Sequence, residues 1–178
     1  MAEKEQKKIV ADFGRPNSEA QWKFFESRVR YTCYGGARGG GKSWATRVKA
    51  GRGALRYPGI RILILRREYG DMEGTLIAPL LGMLPPEIYA YNKSEHMITF
   101  VNGSKIKFGN MPGYSAAVQG KYQGQEYEWL FIDEATQFLE TEFRGLDAIV
   151  RGANKIPKRI YLTCNPGGPG HSWVKRLF

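Results

Sequence analysis

Gly35-Gly36-Ala37-Arg38-Gly39-Gly40-Gly41-Lys42-Ser43 is the run from which the rest of the chain can be read. Gly36, Gly41, Lys42 and Ser43 satisfy the spacing G-x-x-x-x-G-K-[ST], the phosphate-loop pattern. Glycines let the backbone turn tightly enough for successive N–H groups to point inward at a polyphosphate. The lysine places a compact positive charge on β/γ oxygens, and the hydroxyl after it completes a Mg²⁺ shell. Gly36, Ala37, Arg38, Gly39, Gly40, Gly41, Lys42, Ser43 and Trp44 are therefore candidate nucleotide-binding residues. The setting is the one this motif requires. Arg28–Tyr34 reads as a strand, with Val29, Tyr31 and Cys33 alternating against Arg30 and Thr32. Trp44–Leu55 reads as a helix whose N-terminal dipole favours an anion. The bland alternative is a glycine-rich surface turn that happens to carry Lys-Ser.

A second motif tells against that alternative. Trp129-Leu130-Phe131-Ile132-Asp133-Glu134 is four apolar residues running into two acids. It reads as a buried strand that delivers carboxylates to the C-terminal edge of a sheet, where α/β folds bind ligands. Asp133 is the expected metal partner of the phosphate loop. Glu134, pointing the other way if the chain is still extended, is placed to take a proton from an attacking water. The two acids would equally suit the start of a helix over Ala135–Phe143, and both roles can hold at once. Arg38, inside the loop, could stabilise charge on the transferring phosphoryl group, or pair with a carboxylate. Arg159–Thr163 is another apolar strand, and it ends in Thr163-Cys164-Asn165-Pro166-Gly167-Gly168. A polar pair there could read the γ-phosphate and pass its loss to a moving part. On spacing alone it is only a turn.

Outward from these motifs the chain punctuates itself. Met1–Arg15 reads as a loose charged arm, and Asn17-Ser18-Glu19-Ala20 after Pro16 as a helix start. Gln21–Ser27 then forms a short helix with Trp22 and Phe25 on one face. Gln21 could hydrogen-bond an adenine edge or be an ordinary helix polar. Tyr57-Pro58-Gly59 ends the helix after the loop. Arg61–Arg66 is a continuous apolar run, read as a parallel strand buried on both faces, with Arg66 and Arg67 at its ligand-binding end. Thr75–Leu84 reads as helix up to Pro85-Pro86. His96–Val101 and Ser104–Phe108 alternate around Asn102-Gly103, a hairpin signal, with His96 structural. Met111–Gly124 reads as loop with one turn at Ser115–Val118. The phosphate-loop strand and the Thr163 strand are expected to be neighbours, bringing Cys33 and Cys164 close while they stay reduced.

With 178 residues, 42% hydrophobic and 25% charged, the chain is long enough for one domain with a real core. No apolar run approaches the roughly 18 residues of a membrane span. The charged N-terminus has no signal core behind it, and two cysteines without metal-ligand spacing fit the cytoplasm. The net charge is +10 and uneven. Arg28–Arg67 holds eleven basic residues and no acid, and Arg144–Arg176 holds seven against Asp147 alone. Such segments suit a polyanion such as DNA or RNA, although part of the first serves the nucleotide itself.

Gly-Gly-Ala-Arg-Gly-Gly-Gly-Lys-Ser, Phe-Ile-Asp-Glu-Ala and Leu-Thr-Cys-Asn-Pro-Gly-Gly, in that order, resemble the large terminase subunit of tailed bacteriophages. The resemblance is to its N-terminal ATPase half and runs from about Asn17 to the chain end. It implies an α/β fold with a mostly parallel central sheet flanked by helices. It also implies a P-loop NTPase of the additional-strand, catalytic-glutamate type, here with a β-hairpin insertion. An arm over residues 1–16 would precede an ATPase domain over 17–178. Carried over by position, Glu134, Lys42 and Arg38 are catalytic, and Ser43 and Asp133 hold Mg²⁺. Gln21 loosely matches an adenine reader, and Thr163, Cys164 and Asn165 match a coupling motif. The implied activity is ATP hydrolysis that drives double-stranded DNA into a procapsid in the host cytoplasm. The implied partners are a homo-oligomeric ring, the small terminase subunit and the portal.

A ring motor borrows an arginine from its neighbour, and Arg66, Arg67, Arg144 and Arg151 are candidates. The family also carries a nuclease domain built on clustered acids. No acid follows Asp147, so no nuclease is expected, and Gly170–Phe178 reads as the approach to a missing half. Two other readings remain open: a helicase-like or recombination ATPase on nucleic acid, and an ATP-binding assembly module with little turnover alone.

Overall fold

Ile62, Leu63, Ile64 and Leu65 are all fully buried, as an unbroken apolar run requires of a strand covered on both faces. They belong to β2 (Arg61–Arg66) in a computed structural model that describes residues 11–70, 72–114 and 120–178. With it stand β1 (Tyr31–Gly35), β3 (Tyr89–Asn92), β4 (Met97–Phe100), β5 (Lys105–Asn110), β6 (Trp129–Ile132) and β7 (Arg159–Cys164). These make one seven-stranded sheet in the order β1-β7-β6-β2-β5-β4-β3. From β1 to β5 every pairing is parallel, and β4 and β3 add antiparallel at one edge. The Asn102-Gly103 turn joins β4 to β5 as the sequence predicts. Because β5 also pairs with β2, the hairpin continues the main sheet.

Alternate residues of the strands feed two core layers. Ile62, Ile64, Phe131 and Tyr161 face one layer with Phe24 of α1 (Glu19–Glu26) and Ala45, Ala50 and Ala54 of α2 (Lys42–Arg56). A Cβ at Gly53 would lie 2.3 Å from the Trp129 ring, so only glycine lets α2 sit this close to the sheet. Leu63, Leu65, Ile132 and Leu162 face the other layer. Phe143 and Leu146 of α4 (Glu140–Ala148) and Trp173 of α5 (His171–Leu177) cover it. Burying each such aliphatic side chain contributes about 1.5–3 kcal/mol. Among the described residues no helix is long and apolar enough to cross a membrane.

Several local readings change. β1 is shorter than Arg28–Tyr34, and Val29 and Tyr31 are 62% and 39% exposed. β1 is the edge strand, so the alternation there has no layer to face. In α1, capped by Ser18, the buried residues are Gln21 and Phe24, and Trp22 is half exposed. Phe24 wins because it fits between the Tyr34 and Tyr161 rings, with centroids 5.7 and 5.5 Å away. The helix predicted over Thr75–Leu84 is a π turn, Glu73–Ile77, running into the short α3 (Ala78–Leu81). Pro79 has no N–H to give to the Thr75 carbonyl, which instead accepts from the Arg47 guanidinium.

The helix predicted over Ala135–Phe143 is broken as well, into a 3₁₀ turn, Ala135–Gln137, and α4. The Thr136 and Phe138 carbonyls go to Gly170 N (2.7 Å) and Trp173 Nε1 (2.8 Å). β3 lies on a Tyr-Ala-Tyr stretch that the sequence reading leaves unassigned. The turn predicted at Ser115–Val118, and most of the N-terminal arm, lie outside the described residues.

Candidate functional site

The loop between β1 and α2 turns through glycines at positive φ, Gly36 (142°), Gly39 (83°) and Gly41 (70°). Lys42 Nζ donates to the carbonyls of Gly36 (3.0 Å) and Ala37 (2.6 Å), and Tyr34 Oη donates to that of Gly40 (2.7 Å). Gln21 packs beneath the loop. A Cβ at Gly41 would lie 2.2 Å from Gln21 Nε2, while Gln21 Oε1 accepts from Asn17 N at 2.8 Å. Loop, α1 and helix N-terminus thus form one packed unit.

Across from the loop, β6 ends in Asp133, which is 3% exposed. Both of its oxygens are engaged. Oδ2 accepts from Arg66 Nη2 (2.6 Å) and Nε (3.1 Å), and Oδ1 accepts from the Thr163 hydroxyl. The pairing follows from register, since Leu65 sits opposite Ile132 and the next residues of β2 and β6 are Arg66 and Asp133. Glu134 is not extended: it adopts φ 56°, ψ 47° and makes no side-chain cap for the turn that follows. The left-handed step turns its carboxylate so that Oε2 accepts from Gln137 Nε2 at 2.7 Å.

Loop and acids border one cleft of about 620 Å³, a volume typical of small-molecule sites. Arg38, Gly39, Gly40, Gly41, Lys42, Ser43 and Trp44 line it from one side, and Asp133, Glu134, Thr163, Cys164 and Asn165 from the other. Gly36, Ala37 and Gln21 are not in its wall. The first two offer their carbonyls to Lys42, and Gln21 supports the loop from below. Arg38 is exposed and makes no ion pair among the described residues. Asn165 Oδ1 is buried beside the cleft with no hydrogen-bond partner. Arg47 and Arg66 also line the cleft, and the sequence reading missed both in this role. Arg47 lies one helical turn past Ser43, the spacing that would have flagged it.

β1 and β7 are neighbours, with Gly35 opposite Cys164. Cys33 Sγ lies 3.8 Å from Cys164 Sγ, both thiols free. The contact pushes Cys33 up, and burial adds to that. It brings Cys164 down to about 7, with the charge of Lys42 assisting. Of the four arginines considered for a neighbour's site, Arg66 and Arg67 are buried in pairs of their own. Arg67 donates to Glu142 at 2.9 and 2.6 Å and to the carbonyls of Met111, Gly113 and Gln137. Arg144 and Arg151 are exposed, in surface pairs with Glu140 (3.2 Å) and Glu126 (3.5 Å).

A mostly parallel seven-stranded α/β sheet with a glycine loop facing tandem acids is the architecture of a terminase ATPase domain. The chain belongs to the family described as terminase large subunit, T4likevirus-type, N-terminal, which it matches over residues 33–176. No curated protein matches it. Among solved structures it is similar to a full-length large terminase from a thermophilic bacteriophage. The identity is 20%, the TM-score 0.67, and the match covers 92% of this chain and 42% of that one. The same phage protein in complex with ATP-gamma-S matches at 20% identity and TM-score 0.66, over 91% and 42% of the two chains. The large terminase ATPase domain of Thermus phage P74-26 matches at 16% identity and TM-score 0.59, over 86% and 66%. The chain therefore spans about two fifths of the length of the first of these terminases.

Proposed function

We propose that the chain is the ATPase part of a DNA-packaging motor, hydrolysing ATP with Mg²⁺ to drive double-stranded DNA into a procapsid. The observation that carries this reading is that one cleft is walled by Lys42 and Ser43 on one side and Asp133 and Glu134 on the other. The complexes of the thermophilic-phage relative with ATP-gamma-S and ADP favour an adenine nucleotide as the occupant. The donor set fits magnesium: a hydroxyl, a carboxylate and the unpartnered Asn165 Oδ1 are all hard oxygens. Ser43 and Asp133 would hold the ion, which when bound neutralises charge on the β and γ oxygens.

The remaining steps belong to the chain's own groups. Lys42 exchanges its two loop carbonyls for phosphate oxygens, and the α2 N-terminus receives the anion. Arg38, unpaired and at the cleft mouth, stabilises charge developing on the γ-phosphoryl group. Gln137 holds one oxygen of Glu134, leaving the other to orient water and accept its proton. Thr163 ties Asp133 to the end of β7, so a change at the γ-phosphate reaches Cys164 and Asn165. Gln21 acts by shaping the loop.

The work is done in the host cytoplasm, as a ring that acts with a small subunit and a portal. The Arg66–Asp133 pair favours a second reading, an isolated domain that turns over slowly until a neighbour draws Arg66 away. Phosphate release measured with Mg²⁺ or EDTA, with and without duplex DNA, over a range of protein concentrations tests both. Mg²⁺-dependent release that rises per chain with concentration supports the motor, and a low flat rate supports the assembly module. Release that persists in EDTA contradicts both.

A further inference from the structure

At the opposite end of the strands from the nucleotide cleft, a second pocket of about 560 Å³ opens between the C-terminal halves of α1 and α2 and the starts of β6 and β7. Five cations line it. Arg28, Arg52 and Arg56 stand exposed at its rim, and Lys49 and Arg159 lie in its floor at 6% and 8% exposure. Glu26 is the one acid in its wall. Among the described residues no carboxylate pairs with any of the five.

Lys49 is accounted for without a ligand, since Nζ donates to the carbonyls of Phe24 (3.0 Å), Phe25 and Ser27 (3.1 Å) at the end of α1. Arg159 is not. Its guanidinium lies over the Trp129 ring, 5.4 Å from the centroid, and its Nε is buried with no hydrogen-bond partner. A buried guanidinium without a counter-charge is costly, and a face of Trp replaces only part of what an anion supplies. The field at the floor is correspondingly positive: burial, then Arg159 and Arg52, bring the Lys49 ammonium down to about 8. The neighbouring strand start shows the usual solution, with Arg61 Nη2 donating to Glu128 Oε1 at 2.9 Å. Glu128 and Trp129 point to opposite faces of β6, so the acid serves one face and the pocket receives the ring.

We propose that this basic pocket binds a phosphate group, in a site separate from the nucleotide cleft, with Arg159 at its floor and Arg52 at its rim. Phosphate is the chemistry that a guanidinium fork and several converging positive charges match, because it offers several charged oxygens in a small volume. The group is carried either by a free phosphate compound or by a nucleic-acid backbone. The pocket is smaller than a duplex, so a backbone would present single phosphates at the rim.

Calorimetric titration of the Lys42→Ala chain with sodium pyrophosphate, in buffer free of phosphate and sulfate, tests this with the cleft disabled. One site is expected, weakened about tenfold or more by Arg159→Met and by Arg52→Glu, the loss of one charge-assisted contact in each case. Arg52 is exposed, so that variant decides the matter even if Arg159→Met folds poorly. A short blunt DNA duplex that displaces pyrophosphate from the parent but not from Arg52→Glu assigns the group to nucleic acid. Failure to displace it assigns the site to a free phosphate compound. No binding, or binding that neither substitution weakens, overturns the proposal and leaves the ATP reading of the other cleft standing.

Discussion

At the C-terminal edge of the sheet Arg66 donates to Asp133 and Arg67 to Glu142, and Lys42 lies on two loop carbonyls. At the N-terminal edge, Arg159 lies on a tryptophan with no carboxylate beside it, and Arg28, Arg52 and Arg56 stand around it without ion pairs. The two regions use the same residue types to different ends. Matched cations hold side chains in place, because each has one partner and one geometry. Unmatched cations leave a field that an outside anion can satisfy. The cleft is thus built for chemistry on a ligand that must displace internal partners, and the pocket for capture of a ligand that displaces nothing.

Several substitutions put that contrast at risk. The largest effect is expected at Glu134, whose carboxylate has one oxygen engaged and one available. Glu134→Gln should lower ATP turnover by about 10²–10⁴-fold while nucleotide affinity, read by fluorescence titration, stays within a few-fold of the parent. A variant that hydrolyses normally would remove Glu134 from the chemistry. Next comes stability, where the matched and unmatched arginines should differ. Arg67→Met strands the buried Glu142 carboxylate and should cost about 3–5 kcal/mol in urea unfolding. Arg159→Met strands nothing and should change stability by no more than about 1 kcal/mol, the size of the lost ring contact. Equal losses at both sites would erase the distinction. The smallest effect concerns the thiols: with Cys164 brought down to about 7, mild alkylation at neutral pH should label it ahead of Cys33. Bound nucleotide should slow that labelling a few-fold, because Cys164 lines the cleft. Preferential labelling of Cys33 would reverse the assignment.

What the sequence disclosed follows the strength of its signals. The run Arg61–Arg66 could only be a doubly covered strand, and β2 has those bounds. The neighbouring strands β1 and β7, and the Cys33–Cys164 contact, followed from placing the glycine loop and Thr163 at the same sheet edge. Periodicity failed where a second layer was missing, at Val29 and Tyr31, and where one aromatic fitted better than its neighbour, as Phe24 did over Trp22. The π turn and the break after Gln137 were hidden because tertiary partners set them: Arg47 takes the Thr75 carbonyl, and Trp173 takes that of Phe138. Arg66 was visible as a residue at the ligand end of β2. Its pairing with Asp133 needs strand order, which local pattern does not carry.

All of this rests on the polyphosphate of ATP lying between the glycine loop and the tandem acids. The decisive check is a crystal of the chain grown with magnesium and a non-hydrolysable ATP analogue. Phosphate oxygens should then stand within hydrogen-bond distance of Lys42 Nζ and the loop amides, with Asp133 released from Arg66 and Glu134 facing the γ-phosphate. Phosphates located anywhere else, or Lys42 still on the carbonyls of Gly36 and Ala37, would refute that placement.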